Sequence, residues 1–219
     1  MKTKIYNLII LDASGSMSSI EKQAVDGVNE TVQTIREAQK KHEDQEHFVT
    51  LVSFNSSETK KIYDCEPAVS VKELASDDYN PTSCTPLYDA MGFSITELQK
   101  KIGKDDKVLV TVITDGEENS SHEYNGKAIS SLVDKLKGEG WVFTYIGANQ
   151  DVEKVAASIH IHNSISFAAT SVGTSAMFAR EKKARSRFFD RLSETGNKVD
   201  ACMAEDYFAD DKDNDNDKK

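Results

Sequence analysis

Three separated pieces of this sequence carry oxygen-bearing side chains at spacings that suit a small, hard cation. Asp12-Ala13-Ser14-Gly15-Ser16-Met17 follows directly on an apolar run at 5–11. Thr85-Pro86-Leu87-Tyr88-Asp89 opens a helical pattern, and Thr114-Asp115-Gly116-Glu117-Glu118 closes a second apolar run at 107–114. The candidate ligands are Asp12, Ser14, Ser16, Thr85 and Asp115: two carboxylates and three hydroxyls, with no nitrogen or sulfur. Oxygen donors with so little charge suit Mg²⁺ or Mn²⁺ holding some of its waters, not a soft metal. Such a site forms only if Asp12 and Asp115 meet. Both fall at the carboxyl ends of strands that read as parallel. That edge is where open α/β sheets bind ligands, at the crevice where strand order reverses.

The elements that must bring them together alternate along the chain. Residues 5–11, 48–54, 107–114, 141–146 and 165–167 read as strands, the first and third nearly continuous in apolar residues, as strands covered on both faces are. Residues 58–64 alternate and are charged, which places them at an edge. Between the strands, Ile20, Ala24, Val28, Val32 and Ile35 recur at helical spacing, with Ser18 and Glu21 as an expected capping box. Leu87, Met91, Ile95, Leu98 and Ile102 form a second stripe, with Pro86 suited to the first turn. A third helix is expected to turn Ala128, Leu132, Val133 and Leu136 inward and to end at Gly138 or Gly140. A short helix follows at 152–159. Residues 66–84, with Pro67 and Pro81, read as a long loop. The expected fold is α/β and doubly wound: a mostly parallel central sheet with one antiparallel edge strand and helices on both faces.

On these residues the chain resembles the von Willebrand factor A and integrin I domains. DASGSM is similar to their DxSxS motif, Thr85 to their lone downstream threonine, and Asp115 in ITDGEEN to their final aspartate. The resemblance runs over roughly residues 4–167. It implies a metal-ion-dependent adhesion site in a Rossmann-like fold, of the kind found in intracellular bacterial relatives. There Ser14 and Ser16 bind the ion directly, Thr85 directly or through water, and Asp12 and Asp115 largely through water. The remaining position takes an acidic residue of a partner protein. The expected function is therefore Mg²⁺- or Mn²⁺-dependent protein binding, with an assembly or regulatory role, and not catalysis. Expected units are the domain at 1–169, a basic helix at 170–204 packed on or beside it, and an acidic, disordered tail at 205–219.

Other chemistries meet obstacles. A metal-dependent phosphatase or hydrolase of a Rossmann-like fold is the main enzymatic alternative. The haloacid dehalogenase version needs a second carboxylic acid two residues after the nucleophilic Asp. That position here is Ser14. Neither a GxxxxGK[ST] loop nor a GxGxxG fingerprint is present. His160 and His162 flank Ile161 and would share one face of an extended segment, but no third ligand accompanies them, so a solvated strand edge is expected. Cys84 next to Thr85 reads as a small packed side chain, Asp89 as a helix-start residue, and Glu117 and Glu118 as the rim of the site. Asp211, Asp213 and Asp215 imitate the start of an EF-hand, but Asn216 stands where that loop needs glycine.

Arg180, Lys182, Lys183, Arg185, Arg187 and Arg191 lie on one predicted helix starting near Ser171, docked through Met177, Ala184, Phe188 and Leu192. That helix is the one feature that favours weak nucleic-acid binding. The formal net charge of −10 opposes it, because phosphate binding needs excess Lys and Arg. Cys65, Cys84 and Cys202 lack metal spacing and form an odd set, as free thiols in a reducing compartment do. No run approaches the roughly 20 apolar residues of a membrane span, so a cytoplasmic protein that binds no membrane is expected. Residues 210–219 contain no apolar side chain and bury almost nothing. Deleting them is expected to leave the melting temperature unchanged by differential scanning fluorimetry; a loss of several degrees would show that they dock.

Overall fold

A computed structural model of the chain describes residues 2–208. Six strands form one sheet: β1 (Thr3–Asp12), β2 (Gln45–Phe54), β3 (Thr59–Pro67), β4 (Lys107–Thr114), β5 (Val142–Gly147) and β6 (Asn163–Ser166). Their order is β3-β2-β1-β4-β5-β6, with β2 and β3 antiparallel and every other pair parallel. Strand order reverses between β1 and β4, which pair from Ile5↔Lys107 to Leu11↔Ile113. The doubly wound α/β architecture and the charged antiparallel edge strand are as the alternation predicts.

Period-two alternation divides β1 and β4 between two cores. Ile5, Ile9, Leu11, Leu109 and Ile113 face α1 (Glu21–Lys41) and α5 (Ser171–Glu194). Tyr6, Leu8, Ile10, Val108, Val110 and Val112 face α2 (Leu87–Gln99), α3 (Gly126–Gly138) and α4 (Val152–Ser158). A short α6 (Ala201–Glu205) follows α5. Among the described residues no helix is long and apolar enough to cross a membrane.

Several local expectations need correction. Ser18 and Glu21 make no capping box, because residues 15–20 form a 3₁₀ turn. Within it Ser18 Oγ donates to Gly15 O at 2.7 Å, and α1 starts without a side-chain cap. Thr170, not Ser171, caps α5, its Oγ1 accepting from Gly173 N at 3.1 Å. Asn125 caps α3, and that register turns Ile129, Val133 and Leu136 inward while Ala128 stays exposed. His160 takes a positive φ of 60° after α4, which breaks the extended run to His162, and its Nδ1 meets Asp134 at 2.7 Å. The segment after β3 is irregular, yet it buries Val71, Leu74 and Tyr79.

The largest departure is on α5. Met177, Ala184, Phe188 and Leu192 are buried as expected, but Arg185 is buried with them, at 0% exposure. Its Nε donates to Glu181 at 2.6 Å, Nη1 to Asn7 Oδ1 at 3.1 Å and Nη2 to Thr111 Oγ1 at 2.8 Å. The two polar residues inside otherwise apolar central strands thus serve one guanidinium. Tyr207 and Phe208 are also buried, within the region expected to be tail. Tyr207 Oη donates to Glu181 at 3.2 Å, and its backbone N donates to Asn163 Oδ1 at 3.0 Å. Two aromatic side chains outweigh the acidic residues around them because each removes a large apolar area from water. The rest of the expected tail, 209–219, lies outside the described residues.

Removing one member of a buried ion pair strands the other charge, typically at about 3–5 kcal/mol. Arg185→Ala is therefore expected to lower the urea midpoint by that equivalent at an unchanged m value. Arg185→Met combined with Glu181→Leu is expected to recover most of the loss. A single variant as stable as wild type would refute the latch.

Candidate functional site

Asp12 ends β1 beside Thr114, the last residue of β4, as the β1–β4 register dictates. Thr114 Oγ1 donates to Asp12 Oδ2 at 2.6 Å, and Ser14 N donates to Asp12 Oδ1 at 2.7 Å. Ser14 Oγ and Ser16 Oγ are 3.2 Å apart, and Ser16 Oγ donates to Asp115 Oδ1 at 2.5 Å. Thr85 arrives from the other side. A Cβ built on Gly116 would lie 3.2 Å from Thr85 Oγ1, 3.5 Å from Ser16 Oγ and 3.9 Å from Asp12 Oδ2. Three of the five candidate residues thus place an oxygen within 3.9 Å of one point, and Ser14 and Asp115 are hydrogen-bonded to that set. Any side chain at Gly116 would occupy the point itself. All five sequence-predicted residues come together here.

The backbone beneath is cross-tied by neighbouring loops. Tyr79 Oη donates to Asp12 O at 2.5 Å, while Asn55 Nδ2 and Thr82 N donate to Ala13 O at 3.2 and 2.8 Å. Gly15 N donates to Ser83 O at 3.0 Å. These bonds use the buried polar groups of the turn, so Asp12 and Ser14 are held in place and not merely nearby.

Capping at the start of α2 does not fall to Thr85. Pro86 precedes α2 with no side-chain cap. Two of the free N–H groups at the helix start are taken by the loop after β4: Tyr88 N donates to Glu118 Oε2 at 2.9 Å and Asp89 N to Ser121 Oγ at 3.0 Å. Glu118, expected on the rim, is instead turned in, and it also accepts from Ser120 N and Ser121 N at 2.9 and 2.7 Å. In return Asp89, at the start of α2, accepts from His122, Glu123 and Tyr124 N at 2.8, 2.9 and 2.7 Å. The Tyr124 ring lies where a Cβ on Gly92 would be, 2.4 Å away, so glycine there lets the loop lie against α2. Glu117 alone of the pair is exposed.

Sequence reading missed Thr114, Glu118 and Asn119 as parts of this arrangement. Thr114 was visible as the residue before Asp115. Nothing in the spacing marks the other two, since their partners lie some thirty residues away. Among the described residues no group of three or more His, Cys, Asp and Glu is placed to hold a metal. The donor set here is of another kind, two carboxylates with hydroxyls, and its chemistry fits a hard cation with retained waters.

Burial dominates the electrostatics. It pushes Asp12 up from 3.8 to about 6, Asp115 adding to the rise while the bonds from Thr114 and Ser14 oppose it. Burial likewise raises Asp115, against the bond from Ser16. Two shallow grooves flank the turn after β2. One, about 260 Å³, touches Ala13, Glu58, Lys60, Asp77 and Thr82; the other, about 280 Å³, touches Pro86, Asp89, Phe93 and His122. Neither reaches the roughly 300–1,000 Å³ usual for a small-molecule pocket. A larger groove of about 660 Å³ beside Trp141 lies at the other end of the sheet and contains none of the five residues. On α5, the buried Arg185 is not presented to solvent and Lys182 pairs with Glu30 at 3.2 Å, which leaves less free positive charge than the sequence suggests.

No family model and no curated protein matches the chain by sequence. Solved structures do match it by fold. Proximal thread matrix protein 1 from the mussel byssus aligns at TM-score 0.60 and 16% identity, over 83% of this chain and 46% of that one. The PilB minor pilin of Streptococcus sanguinis aligns at 0.56 and 14%, over 85% and 62%. The VWA domain of SpRpn10 aligns at 0.54 and 10%, over 80% and 94%. The chain spans about half the length of the first and about three fifths of the second. These likenesses show a VWA-like fold.

An acid whose folded pKa lies above its unfolded value binds its proton more tightly when folded. The fold gains stability as pH falls from about 6 toward 4 and loses it as pH rises through 6. For Asp12 the rise from 3.8 to about 6 corresponds to about 3 kcal/mol lost at pH 7.5 without a cation. In EDTA, Asp12→Asn is expected to melt above wild type at pH 7.5, with the gap narrowing at pH 4.5. A variant less stable than wild type at both pH values would contradict this.

Proposed function

We propose that this chain is a divalent-cation-dependent protein-binding module and not an enzyme. The observation that carries the reading is the convergence of Asp12 Oδ2, Ser16 Oγ and Thr85 Oγ1 within 3.9 Å of one point, with Ser14 and Asp115 bonded to them. Asp12, Ser14, Ser16, Thr85 and Asp115 would hold Mg²⁺ or Mn²⁺, completing a metal-ion-dependent adhesion site. The ion supplies an electrophilic position for an incoming carboxylate.

This chain's own residues supply the rest. Asp12 and Asp115 offset the two positive charges, and the three hydroxyls add none, so an anion is still attracted at close range in a partly desolvated cleft. Exposed Glu117 disfavours a broadly acidic partner, which selects one acidic residue in a neutral or basic surround. Binding is favoured over catalysis because the flanking grooves are shallow, and Ser14 stands where an acid would be needed beside a nucleophilic Asp12. For this chain a cytoplasmic setting is the reading, supported by the unpaired Cys65 and Cys84.

A ligand that binds only the folded state stabilises it by about 2.7 kcal/mol at about a hundredfold excess over its Kd. Saturating Mg²⁺ or Mn²⁺ is expected to raise the melting temperature of wild type and leave Asp12→Ala unmoved. Equal shifts in both would defeat the assignment. Partner capture on the Mg²⁺-loaded protein is expected to be lost in EDTA and weakened in Thr85→Ala; capture indifferent to both would put the partner on another surface.

A further inference from the structure

Both backbone polar groups of Thr85 are held by one residue. Its N–H donates to Asn119 Oδ1 at 2.9 Å, and its carbonyl accepts from Asn119 N at 3.2 Å. Thr85 itself is 2% exposed, while Asn119 is exposed on the outer side of the loop. Asn119 lies four residues beyond Asp115, so these two bonds tie Thr85 to the loop that follows β4.

The loop that carries Asn119 is built to hold still. Asp89 takes three of its amides, Glu118 closes two more on itself while reaching Tyr88 N, and Ser121 Oγ donates to Glu118 Oε2 at 2.6 Å. Tyr124 closes the far end, packed over Gly92 and edge-on to Phe93 with ring centroids 5.3 Å apart. Because Glu118 and Ser121 bond the α2 amides, the Thr85 hydroxyl is not needed for capping and shares with Ser16 and Asp12 the space over Gly116. A hydroxyl presented to a cation is useful only if its backbone cannot swing, since ligand geometry is set by the groups behind the ligands.

We propose that Asn119 is a positioning residue for the cation site, acting through Thr85. Its two bonds fix the distance between the Thr85 hydroxyl and the Asp12–Ser16–Asp115 group, and so set the affinity for the ion. This inference rests on the cation reading above. It adds a residue of the loop after β4 that contributes no ligand and acts only through its pair of bonds to the Thr85 backbone.

The test is a double-mutant cycle on the full chain, with Mn²⁺ alone as probe, read by isothermal titration and by electron paramagnetic resonance of free Mn²⁺. Asn119→Ala opens no cavity, because the side chain is exposed, and is expected to weaken Mn²⁺ binding by about ten- to a hundredfold, as loss of a group behind a ligand does. On a Thr85→Ala background the same change is expected to add nothing, because coupled residues are non-additive. In the metal-free protein, hydrogen exchange at the Thr85 amide is expected to speed up in Asn119→Ala and to stay slow in Asn119→Asp, which keeps an acceptor. Wild-type Mn²⁺ affinity in Asn119→Ala, additive losses in the double variant, or an unchanged Thr85 amide would each overturn the proposal and leave the cation reading standing. Wild-type protein that takes up no Mn²⁺ would overturn both.

Discussion

Parallel pairing of β1 with β4 is the constraint on which the candidate site depends. The register that sets Leu11 against Ile113 brings Asp12 beside Thr114, whose hydroxyl reaches the carboxylate at 2.6 Å. From that junction the two following turns diverge over the end of the sheet, one carrying Ser14 and Ser16 and the other Asp115 and Gly116. Burial at a strand end makes the carboxylate of Asp12 reluctant to ionise. Tyr79, Asn55 and Thr82 bond the backbone at 12–13, so loops from two parts of the chain answer to the same pair of residues.

The same two strands hold a second charge on their other face. Odd-numbered positions of β1 and β4 present Asn7 and Thr111 to Arg185, and even-numbered positions lead to Asp12 and Thr114. A strand that slipped by one residue would exchange these faces and strand both charges in apolar surroundings. The buried cation and buried carboxylate therefore specify register in a sheet whose apolar residues alone would tolerate shifts. Arg185 also ties α5 to the central strands, and Tyr207 joins through Glu181, so the C-terminal segment up to Phe208 packs into the same core as α1.

Around the candidate site, labour is divided between charged and neutral oxygens. Glu118 and Asp89, both formally anionic, spend their carboxylates on backbone amides of the loop and the α2 start. They satisfy donors that burial would otherwise leave costly. The groups left facing the shared point are mainly hydroxyls. This keeps the local negative charge near that of two aspartates.

Much of this was legible in the chain before any fold was known. Apolar runs at 5–11 and 107–114, separated by helical stripes, imply a parallel sheet because hydrophobic periodicity reports which faces are buried. The five oxygen-bearing residues stood out because each sits at a strand end or helix start. What the sequence could not carry were decisions between distant residues. Arg185 reads as one more solvated charge on a basic helix until Asn7 and Thr111 are seen across from it. Glu118 reads as rim until the α2 amides are placed beside it. Tyr207 and Phe208 were read as part of an acidic tail, since local composition outvoted two aromatic residues whose pocket is made by α5 and the sheet. Ser18 and Glu21 match a capping box, yet the 3₁₀ turn at 15–20 took Ser18 for itself. Local pattern determines which faces are apolar and which residues end an element. Whether a polar group is buried, and by what it is satisfied, is decided only when tertiary packing brings its partner within about 3 Å.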